Sequence, residues 1–360
     1  MIQERRARFA ASSVLSLSKG LATLAGCTLA SSSAFSSASA QETDLSAIPA
    51  IPRDYKPDRT PWDEPDLRGT WPIDHLNFTP LQRTEAQGNR YWLTDEEFAA
   101  RQQTLATRGE AYNREIHGET LGQGHWVEPG KANRRTSFLI DPPNGRLPAL
   151  TEEGKRRQAT KRSSYIAGQT YDWVSDFDTW DRCITRGLPA SMFPFNYNNG
   201  IRIFQAPGLV AIQMEMVHEV RLIPTDGRTP AEGVGFWIGQ SRGRWENGNT
   251  LVVETDRFNG LGAPVNVGTW GSPPGNNTPQ SDQAKLVERF TMTGPDTIVY
   301  EATYSDPVIF TAPWTARVDW QRNDNYRIFE YACHEGNVQI RGYITSSRAE
   351  RGLLNREEAQ

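Results

Sequence analysis

The stretch LVAIQMEMVHEVRLI, Leu209–Ile223, alternates with period two. Val210, Ile212, Met214, Met216, Val220 and Leu222 share one face with His218, while Gln213, Glu215, Glu219 and Arg221 share the other. Successive side chains of a strand point to opposite faces, so this is the pattern of a half-buried β-strand. Outward from it, comparable runs predict strands over Thr250–Thr255, Lys285–Met292, Thr297–Tyr304, Val308–Thr311, Trp314–Arg322 and Tyr326–Ala332. Turn chemistry separates several of them: Asn247-Gly248, Gly294-Pro295-Asp296 and Asn323-Asp324-Asn325. Strands this close in sequence cannot be parallel neighbours, because no crossover helix fits between them. The expected fold is mainly β, an antiparallel meander that closes into a barrel or folds into a sandwich to bury its apolar face.

Upstream the pattern changes. Seven prolines lie between Ala47 and Pro80, together with Trp62 and Trp71. Proline removes donors and fixes φ, so this is an extended arm whose aromatics pack over a core. Thr94-Asp95-Glu96-Glu97 is a capping box and predicts a helix from about Asp95 to Arg108. A weaker, basic helix is expected over Thr151–Ile166, interrupted by Gly154, with a short strand at Phe138-Leu139-Ile140 between the two. The expected organisation is a signal peptide over 1–40, a Pro-rich arm with two packing helices over 41–170, an antiparallel β domain over 171–345, and a tail or short helix over 346–360.

The 360 residues carry 39 Lys+Arg and 43 Asp+Glu. The first forty hold four basic residues and one acidic, so the remainder has 35 and 42, net −7. A binder of nucleic acid by counterion release needs a basic face, so none is expected as partner. No run of about 18 apolar residues exists to span a membrane as a helix. Arg5, Arg6 and Arg8, a modest apolar stretch and Ala38-Ser39-Ala40 follow the order of an export signal cleaved after Ala40. Leu24-Ala25-Gly26-Cys27 resembles a lipoprotein box, which gives a second route, anchorage through a lipid on Cys27. Either way a periplasmic or secreted protein is expected. Cys183 and Cys333 remain, and in an oxidising compartment two cysteines are most simply a disulfide. The alternatives are two buried thiols, or Cys333 with His334 as metal ligands; no CxxC or HxxxH supports a metal.

Several strings together resemble an uncharacterised family of exported bacterial β-rich proteins. They are PDLRGTW (65–71), DPPNGRLPALTEEG (141–154), WDRCITRGLP (180–189), YNNGIRIFQAPG (197–208), GRWENGNTLVVET (243–255), PWTAR (313–317) and YACHEGN (331–337). The likeness spans most of the chain after residue 40. It implies a β-rich exported domain and no assigned activity, and both cysteines fall within its strings. GRWENGNTLVVET is also similar to strand-turn-strand sequences of lipocalin-like barrels, a likeness of fold and not of function.

No GxSxG, HExxH, P-loop or GxGxxG occurs, and no cofactor or metal site is expected. His218 on an apolar face is either a satisfied core histidine or a general acid–base lining a pocket. If Tyr326–Ala332 is a strand, Glu330 shares a face with Tyr326 and Ile328 and needs a partner there, Arg317, Arg182 or His334 within the chain or a bound ligand, so it is a ligand-binding candidate. A Cys183–Cys333 bridge sets Asp181 and Arg182 beside His334 and Glu335, and these with His218 are the catalytic candidates. The same set also reads as a buried ion-pair network that holds the ends of the meander together. Trp314 and Trp320 share parity with Ala316 and Val318, which places them in the core. Trp270, in the Gly/Pro/Asn-rich run Gly260–Ser281, is the candidate ligand contact. The functions expected are a non-redox hydrolase, lyase or isomerase with a small-molecule or sugar pocket in the barrel, or a cofactor-free periplasmic binding protein. A structural or assembly role stands third, and the oligomeric state is open.

Overall fold

Along Thr297–Ser305 every second side chain is buried, and Ile298, Tyr300, Ala302 and Tyr304 are wholly inaccessible. Trp314, Ala316, Val318 and Trp320 do the same along Trp314–Gln321. Paired antiparallel, Trp314 faces Tyr304 and Val318 faces Tyr300. The rings of Tyr304 and Trp314 stand 5.3 Å apart, those of Tyr300 and Trp320 5.2 Å, and those of Phe290 and Tyr300 4.9 Å. This aromatic layer is the centre of the core, as the parity of Trp314 and Trp320 implied. The computed structural model describes residues 44–118, 127–228, 232–265, 269 and 278–353.

Two antiparallel sheets hold this layer. The strands are β1 (Gly69–Thr70), β2 (Leu139–Asp141), β3 (Ile201–Ala206), β4 (Leu209–Met214), β5 (Val220–Pro224), β6 (Gln240–Glu246), β7 (Thr250–Asp256), β8 (Lys285–Gly294), β9 (Thr297–Ser305) and β10 (Trp314–Gln321). Their order is β1-β3-β4-β5 in one sheet and β2-β10-β9-β8-β7-β6 in the other. Strands from β6 to β10 follow one another as a meander. The arm supplies an end strand to each sheet, β1 to the first and β2 to the second. Among the described residues no strand pairing closes either sheet into a barrel. The inner faces share one core, with Ile203, Val210, Ile212 and Ile223 from the first sheet and Leu251, Val253, Leu286 and Phe290 from the second.

The turns follow their sequences. Asn247 and Gly248 both have positive φ, as a tight Asn-Gly hairpin requires. Helix α1 (Asp95–Ile116) starts at the predicted box: Thr94 Oγ1 accepts from the Glu97 amide, and the Glu97 carboxylate accepts from the Thr94 amide. The Arg90 guanidinium holds the Glu97 carboxyl down at about 2 against the cost of burial, and the Thr94 amide adds a smaller pull in the same direction. Helix α2 (Glu152–Thr160) is shorter than expected, and Gly154 is not an interruption in it. A Cβ there would lie 2.4 Å from the Ile309 carbonyl oxygen, so glycine permits the helix to seat on that segment.

Four expectations are corrected. Leu209–Ile223 is two strands, because the chain turns through Met216–His218 with Val217 at φ 59°. The turn shifts the parity: Arg221 and Ile223 point inward, while Val220 and Leu222 are exposed. Val308–Thr311 forms only an isolated bridge, Phe310 to Leu150, and Tyr326–Ala332 pairs with no strand. Helix α3 (Gln339–Glu350) begins well before residue 346. It docks through Tyr343 on the rings of Tyr171 and Phe177, and through Ser347 Oγ, which accepts from the Tyr171 amide at 2.8 Å.

Inverted by the turn, Arg221 crosses between the sheets to Glu288 on β8. Nη1 and Nη2 reach the two carboxylate oxygens at 2.9 and 2.6 Å, and both side chains are buried. The Tyr300 hydroxyl donates to Glu288 at 2.8 Å, and Arg221 reaches Ser241 Oγ at 3.2 Å. Burial alone would lower the guanidinium's pKa, but Glu288 carries it above its usual value. A buried pair costs desolvation on both sides, and loss of one partner leaves a lone charge in the core. Arg221→Met is therefore expected to destabilise by about 3–5 kcal/mol, whereas Arg221→Met with Glu288→Met recovers most of that loss. Urea denaturation of the two variants checks this; equal losses would refute it.

Candidate functional site

Between Lys161 and Gly200 the chain has no α-helix or strand and is organised by its own side chains. Asp178 Oδ1 accepts from the amides of Trp180 and Asp181, both at 2.8 Å, which winds Asp178–Cys183 into a tight turn. Asp181 then accepts from the Ser164 amide at 3.0 Å and from the Ser164 hydroxyl. The turn ends at Cys183, which forms a disulfide with Cys333 across 150 residues. Asn337 ties the far side back, donating to the Asp181 carbonyl at 3.1 Å.

A pocket of about 430 Å³ opens over this disulfide. Tyr165, Trp180, Tyr197 and Tyr331 wall it, and Asp181 and Glu335 supply carboxylates. Its aromatics are paired: Tyr165 stacks on Trp180 at 5.7 Å and Tyr197 on Tyr331 at 6.4 Å. Behind them Phe195 meets Trp180 edge-on, and the buried Arg186 guanidinium lies 5.6 Å from the Trp180 ring and 5.2 Å from that of Phe195. Burial lowers Arg186 to about 10 and pushes Tyr165 up to about 12. Burial also raises the Asp181 carboxyl, the neighbouring Asp178 adds to this, and Ser164 opposes it. Tyr197 rises for the same first reason, with Tyr331 second. The site thus offers flat apolar faces, neutral phenols and carboxylate acceptors.

The disulfide brings together only part of the predicted set. Asp181 and Glu335 meet at the pocket. Arg182 leaves on the opposite side of the turn and stacks on Trp237 at 5.4 Å. His334 is exposed and outside the pocket lining. His218 belongs to neither predicted environment: it is exposed in the turn before β5, and its Nδ1 lies 2.9 Å from the Tyr331 carbonyl oxygen. Glu330 is exposed on an irregular segment and shares no sheet face with Tyr326 and Ile328. Trp270, Cys27 and Ala40 lie outside the described residues. Among the described residues no histidine is hydrogen-bonded to a carboxylate, and no group of three or more His, Cys, Asp or Glu side chains could hold a metal ion.

One residue was missed. Glu219 lines a second cleft, of about 580 Å³, where β5 and β6, the end strands of the two sheets, approach each other. Val220, Leu222, Phe236, Trp237 and Ile238 give this cleft apolar walls. Thr185 Oγ1 donates to the Glu219 carboxylate at 2.9 Å and Ser191 Oγ at 3.3 Å. Burial nevertheless raises its carboxyl to about 6, with Thr185 and Arg221 opposing. Unbroken alternation assigned Glu219 to a polar outer face; only the turn at Val217 moves it to the cleft, and no local residue announces that turn. Comparison of the sequence with family models and with curated proteins gives no match.

The pairing of Cys183 with Cys333 has a direct check. Thiol titration of the denatured, unreduced chain beginning at Gln41 is expected to find no free thiol, and two after reduction. Finding two before reduction would contradict the bridge.

Proposed function

We propose that this is an exported protein that binds a carbohydrate or similar small polyol in the pocket over the Cys183–Cys333 disulfide. One observation carries the reading: two stacked aromatic pairs, Tyr165–Trp180 and Tyr197–Tyr331, share one pocket with the carboxylate of Glu335. A sugar ring presents apolar C–H faces and hydroxyl edges, which match flat aromatic surfaces and acceptor oxygens respectively. Binding is favoured over acid–base chemistry here because His218 and His334 are both outside the pocket, and Asp181 is engaged by Ser164. Export is supported by the order of basic, apolar and small residues before Gln41 and by the disulfide. Calorimetric titration with a panel of mono- and oligosaccharides tests it. Tyr165 is 53% exposed, so Tyr165→Ala spares the core. That variant is expected to weaken binding by about tenfold, with Glu335→Gln weaker as well. Absence of saccharide binding, or an unchanged affinity in both variants, would overturn the proposal.

A second reading rests on Glu219. A carboxyl that titrates at about 6 inside an apolar cleft is suited to proton transfer near neutral pH, the role expected of a non-redox hydrolase, lyase or isomerase. An activity seated there would change with an apparent pKa near 6, and Glu219→Gln would lower kcat about a hundredfold or more. An activity indifferent to Glu219→Gln belongs elsewhere on the molecule.

A further inference from the structure

Arg162, Arg242, Arg317 and Arg351 each face a carboxylate within 3.0 Å. Arg182 does not. Among the described residues its guanidinium makes no hydrogen bond or ion pair, and its buried Nε has no partner. One face is covered by the Trp237 ring at 5.4 Å. Its remaining surface lines a pocket of about 400 Å³, separate from the disulfide pocket, and Lys161 lines the same pocket. Lys161 Nζ spends one hydrogen bond on the Gly262 carbonyl, at 2.8 Å, and an ammonium has three donors.

The other charged groups of this pocket have partners of their own. Asp176 bonds Arg162 at 3.0 Å and accepts from the amides of Asp172 and Trp173. Asp178 accepts from Ser163 Oγ at 2.6 Å and from the amides of Trp180 and Asp181. Two cations with unused donors therefore face one hollow, while its two carboxylates are already satisfied. Ser175 and Thr179 add hydroxyls to the lining. The Nε of Arg182 is shut off from water without a partner, and the planar fork of donors of a guanidinium fits an oxyanion in bidentate fashion.

We propose that this hollow binds a small oxyanion, the phosphate, sulfate or carboxylate group of a ligand, between Arg182 and Lys161. The anion supplies the charge partner that Arg182 lacks, and Trp237 holds the guanidinium plane for it. Burial lowers the Lys161 ammonium to about 8, with Asp178 opposing. The cation is lost as pH rises through that value, so anion affinity falls on the alkaline side of pH 8.

Isothermal titration of the folded chain with sodium phosphate, sulfate and acetate, each against chloride at equal ionic strength, tests this. At least one of the three is expected to bind one to one with an affinity in the millimolar range or tighter. The three arms tell a tetrahedral anion from a carboxylate. Arg182→Gln and Lys161→Gln are each expected to weaken binding about tenfold, and Lys161→Gln to abolish the loss of affinity above pH 8. Circular dichroism verifies that each variant folds. If Arg182→Gln does not, Lys161→Gln and the pH profile of the unaltered chain decide the matter. No binding beyond that of chloride, or binding unchanged by Lys161→Gln at every pH, would overturn the proposal.

Discussion

The bidentate contact between Arg221 and Glu288 is the constraint around which the two sheets are arranged. It links an end strand of one sheet to the middle of the other, through a core that is otherwise aromatic and aliphatic. The contact is bidentate and buried, so it ties Arg221 of β5 to Glu288 of β8 with defined geometry. Ile223, two residues on, then falls against Gly243 of β6, where a Cβ would meet its methyl at 2.9 Å. Glu219, two residues before, comes to line the cleft between β5 and β6. The near-neutral carboxyl of that cleft is thus a by-product of how the sheets are joined.

Much of this was legible in the sequence. Alternation marked β7, β8, β9 and β10, Asn247-Gly248 marked a hairpin, Thr94–Glu97 marked the start of α1, and counting cysteines suggested the bridge. Alternation misleads where it continues through a turn. Met216 and Val217 are apolar and buried, so nothing in their chemistry distinguishes a reversal from an uninterrupted strand. Tyr326–Ala332 shows the converse. It alternates, but its backbone finds no strand partner, and its side chains fasten it instead. Period two reports which side chains can be buried; it does not report whether a neighbouring strand exists.

The candidate site was legible to the extent that a disulfide dictates proximity. It brought Asp181 and Glu335 to one pocket, but it could not set the directions of their neighbours. In the tight turn held by Asp178, adjacent residues diverge, so Asp181 faces the aromatic pocket while Arg182 faces Trp237 behind it. A cluster that is continuous in sequence is divided between two hollows of different chemistry. The stacked rings were harder to anticipate. Tyr165, Trp180, Tyr197 and Tyr331 come from separate irregular segments, which carry no periodicity to align them.

The fastening of the Tyr326 segment has a consequence of its own. The Tyr326 hydroxyl lies 2.7 Å from Glu128 and 2.9 Å from Glu215, and Glu215 is buried. A phenol has a single hydrogen to give, so it cannot satisfy two ionised acceptors. The trio closes its hydrogen bonds when one carboxyl is protonated and donates a hydrogen bond to the phenol oxygen. Glu128 is suited to this, because burial raises its affinity for that proton above the usual carboxylate range, against the pull of Asn199. The hold of Tyr326 on the chain leading to Cys333 is therefore weaker when neither carboxyl carries a proton. Stability gained there is fullest below the ordinary carboxylate range and declines as the solution is made less acidic through the raised value.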